Sequence, residues 1–145
     1  LGLTEGEHAP QGTQGKLLFC SDMVCVLPDG DPLLAKPLLT LEDFQGVNFI
    51  NLSGLDLYRQ TLDEHFRRAG VDRHIVVETN NAASVCAMVR QQLGVAIINP
   101  LTAVAEAGQG GGGGAKGCAS ERIAAAVRYF IARQQSFLIA PNGPF

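Results

Sequence analysis

The chain has 145 residues, 46% of them hydrophobic, which suffices for a packed core in one domain or two small lobes. A net charge of −3 with a pI near 5.5 gives no basic footprint for nucleic acid. No apolar run approaches the roughly 20 residues of a membrane span, and LGLTEGEHAP lacks the basic and apolar regions of a signal peptide.

Residues 1–18 are polar and Gly/Gln-rich after a short apolar start. FCSDMVCVL (19–27) ends in a continuous apolar run closed by Pro28, which predicts a central strand covered on both faces. Pro28, Gly30 and Pro32 predict a turn. Thr40 opens a short helix, TLEDF, with Asp43 at the capping-box position and Gly46 at its end. A strand is predicted over 47–52. A longer helix follows, with Leu55, Tyr58, Leu62, Phe66 and Ala69 as one apolar stripe and Gly70 as its C-terminal cap. On its outer face Asp63 is expected to pair with Arg67, and Glu64 with Arg68.

Ile75 to Val77 reads as a strand. Asn80 or Asn81 then caps a helix whose core face is Val85, Met88, Val89 and Leu93, and Gly94 stops it. Val95 to Ile98 is a solid apolar strand, broken by Asn99-Pro100, and Leu101 to Ala107 reads as a helix. Residues 109–117 are dominated by glycine, with five in a row at 110–114, and predict an irregular surface connection. Ile123 to Ile131 is assigned to a strand on the resemblance given below, and Phe137 to Ala140 is a short strand. The order β-α-β-α-β-α-β over 19–98 implies a parallel or mixed sheet with helices on both faces.

The four cysteines, Cys20, Cys25, Cys86 and Cys118, form no C-x-x-C pair, which argues against zinc or a redox dithiol. Cys25 and Cys86 lie in apolar segments and read as small core residues, a usage that suits a reducing cytoplasm. GGGGGAKG is not a phosphate loop, because Ala115 stands where glycine is needed and Gly117 where Ser or Thr is needed. There is no G-x-S-x-G elbow, and His8, His65 and His74 have no readable nucleophile or carboxylate partner. Adjacent Asp63 and Glu64 face different directions on a helix and read as a solvated face. The expectation is therefore a protein that is not an enzyme and has no cofactor and no metal.

Three polar turns carry the better signal. Leu52-Ser53-Gly54, Glu78-Thr79-Asn80-Asn81 and Asn99-Pro100-Leu101-Thr102 each lead from a strand into a helix. Strand-end turns of this kind are where open α/β sheets bind small molecules. The first amides of each helix lack partners and carry partial positive charge, which suits a carboxylate. Capping alone explains Asn and Ser at any one of these turns; their repetition at three strand ends favours a binding cleft. Ser53, Thr79, Asn80, Asn81, Asn99 and Thr102 are the expected ligand contacts.

These residues together resemble the effector-binding domain of LysR-type transcriptional regulators. VCVLPDGDPL resembles the family's crossover strand and turn, and LTLEDFQGVNFINLS its next helix and strand. LYRQTLDEHFRRAGVDRHIVVET and AASVCAMVRQQLGVAIINPLTA are the most specific segments, close to the branch of diaminopimelate and opine sensors. VRYFIARQQSFLIAPNGPF resembles the strand returning to the first subdomain. The resemblance weakens across 109–121, where the family has a short connection.

The resemblance implies an α/β fold like type 2 periplasmic binding proteins: two hinged α/β subdomains with the ligand between them. Residues 1–28 would be a remnant of the first subdomain with a crossover strand, 29–98 the second subdomain, and 99–145 the return to the first. The first subdomain would then be incomplete, and the family's winged helix-turn-helix would lie outside these residues. The implied function is the sensing of a small amino-acid-like or carboxylate metabolite by a cytoplasmic, oligomeric regulator that meets DNA through that other domain. The alternative on the same fold is the solute-binding protein of a transporter, with an enzyme a distant third.

Overall fold

The computed structural model describes residues 2–5, 11–108 and 134–141. Their strands are β1 (Gly2–Glu5), β2 (Thr13–Ser21), β3 (Val24–Val26), β4 (Asn48–Leu52), β5 (His74–Thr79), β6 (Ala96–Ile98) and β7 (Gln134–Pro141). The α-helices are α1 (Leu57–Ala69), α2 (Ala82–Arg90) and α3 (Pro100–Gly108); two short 3-10 turns, Pro32–Ala35 and Leu41–Phe44, lie between β3 and β4.

The central sheet is mixed. β4 and β5 run parallel, β6 joins β4 in parallel through Phe49 and Val95, and β3 closes on β6 in antiparallel register. The lateral order is therefore β5-β4-β6-β3. Of the two solid apolar runs, 95–98 forms the inner strand β6, whereas the run expected to make a central strand over 19–27 supplies β3, which among the described residues pairs only with β6 and lies at the sheet edge. Phe49, Ile50, Val95, Ala96, Ile97 and Ile98 are all at or below 4% exposure, as expected for strands with a layer on each face.

Alternation along these strands feeds two cores. On one face Cys25, Phe49, Val95 and Ile97 meet Leu62 and Phe66 of α1, with Phe44 and Leu39 from the segment before β4. Phe44, Phe49 and Phe66 are mutually edge-on, with centroids 5.7–6.0 Å apart. On the other face Val26, Ile50, Ala96 and Ile98 meet Val85, Cys86 and Val89 of α2 and Ala103 of α3. Cys25 and Cys86 are buried free thiols within these cores, as expected, and burial pushes the Cys25 thiol far above its ordinary range. A second sheet, ordered β1-β7-β2, brings residues 2–5 and 13–21 alongside 134–141.

Several local expectations hold. Gly70 caps α1 in the left-handed region at φ 68°, Gly46 sits at φ 69° after its short turn, and Asp43 accepts from the Thr40 amide at 2.8 Å. Others need correction. Leu55 does not belong to the α1 stripe; it precedes the helix, in the turn after β4, and is 90% exposed. Leu93 lies beyond the end of α2 and is half exposed. Asp63 pairs not with Arg67 but with Arg59 at 2.6 Å and with Arg73, while Glu64 holds both Arg67 and Arg68. Gly94 does not stop α2, which ends at Arg90, with Gln92 taking the left-handed turn at φ 60°. The reason for Gly94 is spatial: a Cβ there would lie 2.6 Å from the Asn48 carbonyl oxygen of β4. The glycine tract at 109–117 and the strand expected over 123–131 lie outside the described residues.

Candidate functional site

β4, β5 and β6 are mutually parallel, so their carboxyl ends share one edge of the sheet. The three polar turns leave from that edge. After β4 the chain enters α1 on one face; after β5, its neighbour, it enters α2 on the other. Neighbouring parallel strands whose helices leave to opposite faces part at their carboxyl ends and open a crevice. A cleft of about 300 Å³ lies there, lined by Leu52, Ser53, Leu55, Asp56 and Asn80.

Of the six expected contacts, Ser53 and Asn80 line this cleft. The other four are not in its lining: Thr79 and Asn81 flank Asn80 in the chain, while Asn99 and Thr102 follow β6, on the other side of β4; each turn is shaped by its own hydrogen bonds. Ser53 Oγ accepts from the Leu55 amide at 3.4 Å, and Asp56 caps α1 by accepting from the Arg59 amide at 2.9 Å. Thr79 Oγ1 accepts from the Asn81 amide at 3.3 Å. Asn81 is the α2 cap, its Oδ1 accepting from Ala83 and Ser84 at 2.9 and 3.2 Å. Asn99 does the same for α3, accepting from Thr102 at 2.8 Å, with Pro100 at the first helical position. Thr102 is half-buried on that first turn.

The capping occupies acceptor atoms and backbone donors together. It leaves the chemistry of the opposite sign: each Asn still carries an NH₂ with two hydrogens, and the hydroxyls still donate. The edge is thus rich in neutral donors fixed by short turns. The apolar part of the cleft comes from Leu52 and the exposed Leu55.

Arg59 was not marked by its position in the sequence, yet it holds this edge together. From the first turn of α1 its Nη1 donates to the Leu52 carbonyl at 2.6 Å, at the end of β4. The same atom meets Glu78 Oε1, near the end of β5, at 2.9 Å, and Nε donates to Asp63 at 2.6 Å. Burial lowers the Arg59 pKa, but Asp63 and Glu78 outweigh this and leave it above the ordinary value. Asp63 also pairs with Arg73, whose guanidinium lies 3.9 Å from the Phe66 ring centroid and 4.7 Å from that of Phe49. Asn51, one residue before the cleft, is 2% exposed, and its Nδ2 has no hydrogen-bond partner among the described residues. Among those residues there is no group of three or more His, Cys, Asp and Glu able to hold a metal, and no helix long and apolar enough to cross a membrane.

Comparison with known proteins agrees with this architecture. The family model for the LysR substrate binding domain matches residues 1–112. The transcriptional activator protein LysR of Escherichia coli K12 is 54% identical over 110 residues, 76% of this chain and 35% of its own length. The regulatory protein NocR of Agrobacterium tumefaciens T37 is 34% identical over 80 residues, 55% of this chain and 27% of its own length. The chain thus spans about a third of the length of these relatives. Among solved structures, the regulatory domain of Synechocystis PCC6803 CcmR in complex with 2-PG superposes with a TM-score of 0.73 at 15% identity, covering 99% of this chain and 65% of that one. The effector binding domain of QuiR in complex with shikimate gives 0.67 at 12% identity, covering 99% and 63%. At such identities the likeness shows the fold: the type 2 periplasmic-binding-protein-like α/β fold of LysR effector-binding domains. The chain belongs to the LysR substrate-binding domain family, a family of transcriptional regulators.

Proposed function

We propose that this chain reads a small amino-acid-like or carboxylate metabolite at the carboxyl edge of β4, β5 and β6, on behalf of a transcriptional regulator. The observation that carries this reading is the parting of α1 and α2 to opposite faces, which opens the cleft between Ser53 and Asn80. Neutral donors in a concave, part-apolar site bind a carboxylate well, because a charged acceptor strengthens each hydrogen bond. Ser53 and Asn80 serve as contacts within the cleft, and Thr79, Asn81, Asn99 and Thr102 as contacts from its rim. Residues 29–98 form the bulk of one subdomain, while 1–28 and 99–145 belong with a second that supplies the opposite wall; closure of the two around the effector biases an oligomer. DNA contact belongs to a separate domain of the cytoplasmic regulator.

The test is calorimetric titration of free amino acids and small carboxylic acids into the regulator and its variants. Thr79→Ala and Asn80→Ala should each weaken binding about ten- to a hundredfold, the loss of one hydrogen bond to a charged group. Arg68→Ala, on the outer face of α1 and paired with Glu64, is the control with little effect. Wild-type affinity in both Thr79→Ala and Asn80→Ala would reduce the turns to helix caps and place the site elsewhere.

A further inference from the structure

Arg59 has three acceptors on three different elements: the Leu52 carbonyl at the end of β4, Glu78 at the end of β5, and Asp63 one turn along α1. Its side chain is only 13% exposed, whereas Glu78 is 52% exposed. The guanidinium therefore sits beneath the cleft edge, in the angle between the two strands whose turns line it. Asp56, which caps the same residue through its backbone amide, is itself part of the cleft lining. β5 is also anchored near its other end. Arg73, immediately before it, meets Asp63 and lies against Phe49 and Phe66. A continuous chain of contacts, Glu78–Arg59–Asp63–Arg73, thus runs along α1 and fastens both ends of β5 to the helix that follows β4.

We infer that Arg59 is a positioning residue for effector recognition: its guanidinium fixes the spacing of the turns at 52–56 and 79–81, and so the shape that the cleft offers. The inference rests on the cleft reading given above. A planar, forked cation is suited to this task because it addresses divergent acceptors at fixed angles. A lysine ammonium keeps the charge but not the fork. The same Arg59 Nη1 meets both the Leu52 carbonyl at the end of β4 and Glu78 near the end of β5, so this one guanidinium links the two strand ends. If the fork is lost, the two turns are tied only by the β4–β5 ladder behind them.

The experiment is amide hydrogen exchange on the full chain, comparing wild type, Arg59→Lys, Arg59→Ala and Glu78→Gln, with urea unfolding of each. In Arg59→Lys, exchange in peptides covering 53–57 and 79–83 should rise about tenfold or more, the loss of one charge-assisted hydrogen bond. Peptides covering 95–98, in the core strand β6, should keep wild-type protection. Glu78→Gln, which leaves the Leu52 and Asp63 contacts in place, should loosen 79–83 alone. Uniform loosening of all peptides in step with global stability would make Arg59 an ordinary structural residue and overturn the inference, as would unchanged exchange at both turns in Arg59→Lys. Exchange needs no ligand, so the two readings fail separately. Selective loosening without any amino acid or carboxylate binding to wild type would leave Arg59 as the clamp of an edge with another use.

Discussion

Gly94→Ala is expected to be among the more damaging single-methyl additions available in this fold. Gly94 is buried, and its added Cβ would stand 2.6 Å from the Asn48 carbonyl oxygen and 2.9 Å from its carbon, against an ordinary contact of at least 3.4 Å. Both atoms are backbone, so no side chain can swing aside. The same carbonyl accepts the Val95 amide at 2.9 Å, and the next rung, Ile50 N to Val95 O, is 2.8 Å. Relief of about 0.8 Å must come from parting β6 and β4, and it falls on the two hydrogen bonds that join the halves of the central sheet. Overpacking of a tight site costs about 1–3 kcal/mol and each weakened backbone bond up to about 1 more, so a loss of about 2–4 kcal/mol is expected. Urea unfolding followed by far-ultraviolet circular dichroism measures it as a fall in midpoint at unchanged slope. Gly70→Ala is the control. It has open space around the Cβ but φ +68°, so it should cost only the left-handed penalty of about 1–2 kcal/mol. If Gly94→Ala loses less than Gly70→Ala, the close approach of β6 to β4 is not what Gly94 provides.

Asn81→Ala should lose about 1 kcal/mol by removing the α2 cap, whereas Asn81→Asp should keep it, because a carboxylate at a helix start accepts the same amides; thermal unfolding of the pair decides this. Asn51→Leu should raise stability by about 1 kcal/mol in the same assay, since it replaces a buried amide whose Nδ2 lacks a partner with an apolar side chain of similar size. Glu64, held by Arg67 and Arg68, has its pKa lowered to about 2 from 4.5, so the pairs act fully above pH 4.5 and are lost as pH falls towards 2. A carbon-detected titration of Glu64 should show that low midpoint, and Arg67→Ala with Arg68→Ala should return it towards 4.5. With a net charge of −3, these 145 residues alone should give no sequence-dependent gel shift on duplex DNA.

Much of the central sheet and its helices was legible because its signals are local. A strand covered on both faces must be apolar throughout, and VAII at 95–98 is; a helix on such a sheet must repeat its apolar residues every three or four, and Leu62 and Phe66 do. Caps and left-handed glycines are equally local, hence Asn81, Gly46 and Gly70. The errors arise where a residue answers to something distant in sequence. Leu55 fits the helical stripe by number, but Asp56 caps the helix, which starts at Leu57, and leaves Leu55 in the preceding turn, exposed to solvent. Asp63 has a partner four residues ahead in Arg67, yet Arg73 arrives after the Gly70 turn and, with Arg59, takes it instead. The strands β1 and β2 lie in a stretch with no clear alternation, and their partner β7 is more than a hundred residues away.

The same distinction separates two kinds of residue at the cleft. Ser53, Thr79, Asn80, Asn81, Asn99 and Thr102 could be singled out because strand-turn-helix order alone puts them at strand ends. What the order leaves undecided is which of the three turns face each other, since that depends on lateral strand order and on the face each helix takes. The structure puts β5 beside β4 and sends α1 and α2 apart, so the first two turns meet, while the Asn99 turn lies across β4 from Asn80. Arg59 follows from the same geometry. In sequence it is an unremarkable arginine on a helix rich in charge, and its neighbours at one-turn spacing suggest a surface pair. Only when β5 lies against β4 does one guanidinium reach both strand ends. If the cleft takes the proposed effector, its shape depends on a residue outside its lining, and substitutions at Arg59 should alter effector selectivity, read by the same calorimetric titration, while the lining residues stay unchanged.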